Sequence, residues 1–261
     1  MSKIRLTEDN LRRVVREVLS EGYSAKYFES QIWWIVEDFW QFKDTPTTER
    51  YLSKSYPIVI SMRPFFRDGE VDERYLGDTE YHVKLYINTE DESNHIDGGF
   101  TPDFISNNQL NQISICIGQS TEKKSLFSVL KHEVTHLVDY VIKMCKNQTM
   151  HQYPVKRMRR LGIPKYAMLI LYTLWNTSEF NAWHTTYNTD TPTDDVHFEN
   201  IMKALNMLNS NNNEEDWTLI RDYVAQTTGN PMIARKTTTG FKNYFINTSF
   251  KLIKKMVKKY Y

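Results

Sequence analysis

The spacing of apolar residues predicts two helices at the start of the chain. The first follows Thr7, a residue type that caps helix N-termini, and ends at Gly22. Its apolar residues recur at helical spacing and comprise Leu11, Val14, Val15, Val18 and Leu19. A second helix is predicted over about residues 24–43, where aromatic and aliphatic side chains give a broad apolar surface.

Alternating apolar and polar residues then predict a small sheet. We expect strands at about residues 57–62, 81–87 and 113–117. The segment Asp97–Phe100 is predicted to be a turn, because it contains two consecutive glycines and glycine commonly interrupts a strand.

From Thr121 onward the spacing is mainly helical. Helices are predicted over about residues 122–145, 164–187, 194–209, 214–227 and 240–259. These elements together predict an α+β fold, with N-terminal helices, a small twisted and mostly antiparallel sheet, and then a helical half.

The predicted organisation is an N-terminal amphipathic segment over residues 1–22 and one domain over residues 23–261. Within that domain we expect the sheet at about 55–118, two helices that carry the chemistry at about 122–187, and C-terminal helices at about 194–259.

Composition limits the classes of function. The 261 residues are 40% hydrophobic and 25% charged, as in ordinary globular proteins, and the net charge of +1 favours no specific nucleic-acid partner. The first 22 residues lack the apolar stretch of a secretion signal, and the longest apolar run, 166–175, is too short to span a bilayer. We therefore expect a cytoplasmic protein without a membrane span.

Three polar residues in the helix predicted over 122–145 form the pattern HExxH, namely His132, Glu133 and His136. Residues four apart lie on the same helix face, so the two imidazoles can bind one metal ion. Glu133 lies about 100° around the helix, where its carboxylate can take a proton from water at that metal. The alternative is an exposed helix face that carries two ordinary histidines.

The helix is predicted to have two distinct sides. Its apolar residues are centred roughly opposite the two histidines and comprise Leu130, Val134, Leu137 and Val141. Such a helix can bury one side in a core and present the other side to a cleft.

Zinc, the metal expected here, requires a third protein ligand and an open position for water. The two cysteines, Cys116 and Cys145, form no CxxC pair, so a thiolate ligand is not expected. Glu179, on the next long helix, is the preferred candidate, although its residue type also suits a helix cap or an exposed surface. The remaining candidates are His184, His197 and Asp139.

The HExxH pattern, followed by a helix that contains Ser178, Glu179 and Ala182, resembles the gluzincins of the zincin superfamily of metallopeptidases. The resemblance covers roughly residues 110–187. It implies a twisted sheet packed on the HExxH helix, a zinc ion held also by the glutamate of the second helix, and hydrolysis of protein or peptide substrates. Metzincins carry a histidine six residues after the second histidine, where this chain has Ile142.

One position departs from the thermolysin-like pattern, which places an aspartate four residues after the zinc-binding glutamate. Here that position is Trp183. We expect Asp139 to take the role of that aspartate, which is to orient a histidine ligand, since such histidines usually donate their second N–H to an oxygen. Tyr187 and His184 are candidate donors to the oxyanion that forms during hydrolysis.

A second resemblance concerns the N-terminus. Residues 3–19 resemble a leader segment that recurs on proteins of crAss-like phages of gut Bacteroidales. This resemblance implies a phage-encoded, virion-associated protein with other virion proteins as partners. It also implies an alternative function, that of a virion structural or cargo protein with a zincin fold and little or no catalysis. Without that resemblance, the segment is an amphipathic helix that packs on the domain.

Overall fold

The computed structural model describes residues 29, 31–44, 52–61, 80–90, 96–101, 111–145, 153–187 and 192–257. The chain divides into two compact units, Met1–Lys146 and Asn147–Tyr261. The predicted N-terminal segment 1–22 lies outside the described residues, and the single domain over 23–261 stays a prediction.

In its described part, the first unit contains two helices and a sheet. Helix α1 covers residues 31–43 and helix α2 covers Lys123–Cys145. The strands are β1 (Ser53–Ser61), β2 (Glu80–Glu90), β3 (Ile96–Thr101) and β4 (Asn111–Gly118). Their order in the sheet is β1-β2-β4-β3, with β2 and β4 parallel and the two outer pairs antiparallel. The α+β class is therefore confirmed, and the sheet is mixed.

Helix α2 packs on β3 and β4, and this packing forms the first hydrophobic core. Leu130 and Leu137 of the helix are fully buried, as are Ile113 and Ile115 of β4. The predicted apolar side of α2 is thus confirmed for the residues whose side chains are described. Burial of each such side chain stabilises the fold by about 1.5–3 kcal/mol. This packing holds α2 in place and so fixes the position of the residues on its opposite face.

The prediction of a turn at Asp97–Phe100 is wrong, because this segment lies within strand β3. Along β3, half-buried residues alternate with exposed ones, as expected for a strand with one covered face. Pairing with β4 runs over the whole strand, with Gly98 opposite Ile115. Long-range pairing therefore outweighs the weak local strand propensity of the two glycines.

The second unit is helical in its described part. Its helices are α3 (Val155–Arg160), α4 (Lys165–Ile170), α5 (Thr177–Thr186), α6 (Pro192–Ser210), α7 (Glu214–Thr228), α8 (Pro231–Ala234) and α9 (Thr238–Met256). Between α4 and α5 lies a π-helical turn, Leu171–Trp175. The three predicted C-terminal helices are confirmed as α6, α7 and α9, whereas α3 and α8 were not predicted.

The prediction of one continuous helix over 164–187 is wrong. Asn176 has an extended backbone, with φ −81° and ψ 111°, and separates the π-helical turn from α5. The break has a physical basis, since asparagine competes for backbone hydrogen bonds and favours helix N-caps over helix interiors.

No helix among the described residues combines the length and the apolar character that a membrane crossing requires.

Candidate metal centre

Three polar side chains lie close together on α2, with the two histidines on the side away from its buried leucines and Glu133 between that side and the buried one. His132 and His136 are half-buried, and Glu133 is buried with 6% of its surface exposed. The helix fixes this arrangement because residues four apart stack along one face and a neighbouring residue lies beside them. All three predicted residues therefore occupy the positions that the HExxH pattern requires.

The two histidine rings face one another through the same ring atom. Nε2 of His132 lies 3.1 Å from Nε2 of His136, and the rings are nearly perpendicular at 82°. A tetrahedral zinc ion with bonds of about 2.0–2.1 Å would hold two such nitrogens roughly 3.3 Å apart. A direct N–H···N hydrogen bond between the rings fits the same distance. The Nε2–Nε2 distance is therefore compatible both with a shared metal ion and with a hydrogen bond.

Glu179 lies in the first turn of α5, which begins immediately after Asn176. The side-chain oxygen of Asn176 accepts a hydrogen bond from the backbone N–H of Ser178 at 3.1 Å and so caps the helix. The preceding π-helical turn is held to α9 by Trp175, whose ring stacks on Phe245 at 4.5 Å. The negative charge of the Glu179 carboxylate is favoured in the first turn by the dipole of α5, because the N-terminal end of a helix is positive.

The alternative of a capping glutamate does not fit this geometry. A glutamate at this position of a capping box accepts a hydrogen bond from the backbone N–H of the N-cap residue. Here that residue is Asn176, and its N–H already donates to the carbonyl oxygen of Leu171 at 3.1 Å. The local structure of α5 therefore does not require Glu179 for its cap.

His132, His136 and Glu179 each offer one donor atom, and these atoms all lie within 4.8 Å of one another. All three side chains are half-buried. Among the residues that the structure describes, no other group of three or more histidines, cysteines or acidic residues meets this condition. The group could hold a metal ion.

The other candidates for the third ligand lie outside this group. The His197 ring stacks on Trp183, with centroids 3.8 Å apart and planes at 9°. The tryptophan at the departure from the thermolysin-like pattern thus packs on a histidine of α6. His184 is half-buried, with its ring 6.1 Å from that of Phe180. Asp139 is half-buried on α2, and its role in orienting a histidine stays a prediction.

Tyr187, a predicted oxyanion donor, is fully buried in the hydrophobic core of the second unit. Its ring packs beside those of Trp183 and Phe198. The donor roles of Tyr187 and His184 stay predictions.

The Glu133 side chain lies directly against strand β3. If Gly98 carried a Cβ atom, that atom would lie 3.1 Å from Cγ and 3.2 Å from Oε1 of Glu133. The same atom would lie only 2.7 Å from Cγ1 of Val129. The sequence does not indicate this close approach, because residues 97–100 favour a turn locally and form a strand only through pairing with β4.

Tyr140, to which the sequence assigned no role, lies four residues after His136 and so on the same helix face. Its ring packs on Phe100 of β3, with centroids 5.7 Å apart. Burial raises the pKa of the Tyr140 hydroxyl, so the hydroxyl keeps its proton to a higher pH than an ordinary tyrosine does.

Comparison of the chain with protein-family models, curated proteins and solved structures finds no match.

Proposed function

We propose that this chain is a zinc-dependent peptidase, with His132, His136 and Glu179 as the ligands and Glu133 as the general base. The observation that carries the proposal is the convergence of these three donors within 4.8 Å of one another. Two imidazole nitrogens and one carboxylate oxygen form a ligand set typical of catalytic zinc sites, in which the fourth position stays open. The donor set therefore fits zinc.

Zinc bound there would supply a Lewis acid that lowers the pKa of water and polarises a substrate carbonyl. The chain itself supplies the proton transfer. Glu133 accepts a proton from water at its carboxylate and delivers it to the leaving amine. Its burial beside Gly98 restricts the side chain to few conformations, which keeps the base close to one position.

An extended polypeptide is the substrate class that the neighbouring sheet favours. β3 is an outer strand of the sheet, and among the described residues no strand pairs with its other edge. Such an edge presents backbone N–H and C=O groups that an added peptide strand can satisfy. Since β3 also contacts Glu133 through Gly98, a peptide on this edge would lie beside the strand that holds the base.

The zincin-like arrangement implied by the HExxH pattern agrees with a helix that carries these residues and packs on a small sheet. It also agrees with a glutamate from a later helix. These agreements support the proposal.

The test is cleavage of a pool of unfolded polypeptides by zinc-loaded protein, with new termini identified by mass spectrometry. Glu133→Gln is expected to retain zinc and to lower the cleavage rate by about 10²–10⁴-fold, because it removes only the base. The matched control is Glu122→Gln, at an exposed position just before α2, which is expected to cleave like wild type.

Two results would contradict the proposal. The first is cleavage by Glu133→Gln at the wild-type rate, which would assign the activity to another residue or to a contaminant. The second is zinc-loaded wild-type protein that cleaves no polypeptide in the pool, which would favour the non-catalytic virion protein.

A further inference from the structure

We propose that Gly98 is a positioning residue, whose lack of a side chain sets where the Glu133 carboxylate lies. This inference rests on the proposed role of Glu133 as the base. It adds a determinant of activity on β3, a strand that offers no ligand to the metal.

The requirement for glycine at position 98 is one of space. The glycines with positive φ among the described residues are Gly162 and Gly229, so the backbone of Gly98 suits any residue. Gly98 lies on the half-buried face of β3, opposite Ile115 of β4. On that face a Cβ atom would meet Val129 Cγ1 at 2.7 Å and two atoms of Glu133 at 3.1 and 3.2 Å.

Val129 and Glu133 differ in how far their side chains can move away from an added Cβ atom. Val129 is β-branched and helical, so its χ1 angle is strongly restricted, and a contact of 2.7 Å forces the strand or the helix to shift. The Glu133 carboxylate is the end of a longer side chain and can move by a few tenths of an ångström or adopt another rotamer. We therefore expect an alanine at position 98 to displace the base wherever the strand and the helix shift too little to lengthen its contacts with Glu133.

Gly99 provides a matched control in the same strand. A Cβ atom there would meet no atom within 4 Å, and the residue is exposed. Gly98→Ala and Gly99→Ala make the same change in backbone freedom at adjacent positions. They differ in whether the added methyl group meets Val129 and Glu133.

The first measurement is crystallographic and does not depend on activity. In zinc-loaded Gly98→Ala the Glu133 carboxylate is expected to be displaced or rotated relative to wild type, whereas in Gly99→Ala it is expected to stay in place. An undisplaced Glu133 in Gly98→Ala would overturn the inference.

The second measurement is kinetic. A misplacement of 1 Å can cost about 10²-fold in rate, so we expect kcat of Gly98→Ala to lie roughly 10-fold below that of Gly99→Ala. Zinc affinity should be equal in the two variants, because neither touches a ligand. Equal kcat values in the two variants would also overturn the inference.

A double variant separates the contact with Glu133 from that with Val129. Gly98→Ala combined with Val129→Ala removes the shortest contact but leaves the two contacts with Glu133. We expect kcat to stay low relative to Val129→Ala alone. Recovery to the level of Val129→Ala would show that the effect passes through Val129 and would overturn the inference.

These outcomes are separate from failure of the proposed function. Zinc-loaded wild-type protein that cleaves nothing would contradict the role of Glu133 as base. Active wild-type protein with unaffected Gly98→Ala would contradict the role of Gly98 alone.

Discussion

The Nε2 atoms of His132 and His136 lie 3.1 Å apart on one face of α2. Two lone pairs at this distance repel each other unless a cation or a proton lies between them. A proton would make the pair a hydrogen bond, whereas a cation can also bind a third donor. Glu179 supplies such a donor, so its replacement tests which of the two explanations holds.

Replacement of Glu179 tests that explanation. Glu179→Gln removes the anionic ligand and is expected to lower zinc affinity by at least about 100-fold, since even partners outside the ligand set contribute 10–100-fold. Competition with a chromogenic chelator measures the affinity. Glu199→Gln, an exposed position on α6, is the control and should bind zinc like wild type. If Glu179→Gln bound zinc as tightly as that control, the third ligand would have to be another residue.

The cap of α5 provides a second prediction. Asn176→Ala removes the acceptor for the Ser178 N–H and is expected to cost about 1 kcal/mol of stability and to weaken zinc binding. Asn213→Ala removes the same type of cap from α7, where Asn213 accepts from the Glu215 N–H at 2.9 Å. We expect a similar loss of stability in that variant with zinc affinity retained. Equal zinc affinities would contradict a link between the cap and the position of Glu179.

The outer edge of β3 carries a third prediction. The backbone N–H of Gly98 donates to the side-chain oxygen of Asp97 at 2.9 Å, so this donor is engaged before a peptide arrives. Asp97→Ala releases the N–H and is expected to lower KM for unfolded polypeptides several-fold, with little change in kcat. Steady-state kinetics with one defined peptide measures both constants. An unchanged or higher KM would argue against peptide binding through this N–H.

An ion pair in the first unit provides a prediction about pH. Lys54 donates to Asp38 at 2.5 Å, and this hydrogen bond lowers the pKa of the Asp38 carboxyl from its usual value. A carboxyl whose pKa is lower in the folded state stabilises the fold above its unfolded pKa of about 3.9, and the contribution is lost as pH falls further. Both side chains are about one-third exposed, so we expect a contribution of about 0.5 kcal/mol.

Asp38→Asn should therefore melt at a lower temperature than wild type at pH 7, and the difference should shrink below pH 4. Thermal unfolding at several pH values measures it. High salt should reduce the difference at pH 7, because salt screens exposed charges. A difference that stayed constant between pH 7 and pH 3 would show that the ion pair is not its cause.

The helix that carries His132, Glu133 and His136 could be predicted from the sequence because its pattern is local. Residue types at a fixed spacing determine which side chains share a face, and the apolar residues opposite them determine which side is buried. Glu179 was also identified, but by residue type and position along the chain. Its placement depends on the break at Asn176, for which the sequence offers a signal, namely an N-cap residue three positions before a glutamate.

Strand β3 could not be predicted in the same way. Its two glycines favour a turn locally, and the strand exists because it pairs with β4, which follows later in the chain. The close approach of Glu133 to Gly98 depends on that pairing and on the packing of α2 against β3. Contacts of this kind join distant parts of the sequence, so no local pattern indicates them.

The most direct test of the central claim is the position of zinc in a crystal of the zinc-loaded protein, located by anomalous scattering. We predict one strong peak about 2.0–2.1 Å from Nε2 of both His132 and His136 and about 2.0–2.2 Å from a Glu179 oxygen. The absence of a peak at the two histidines, or a peak there whose third protein ligand is not Glu179, would contradict the claim.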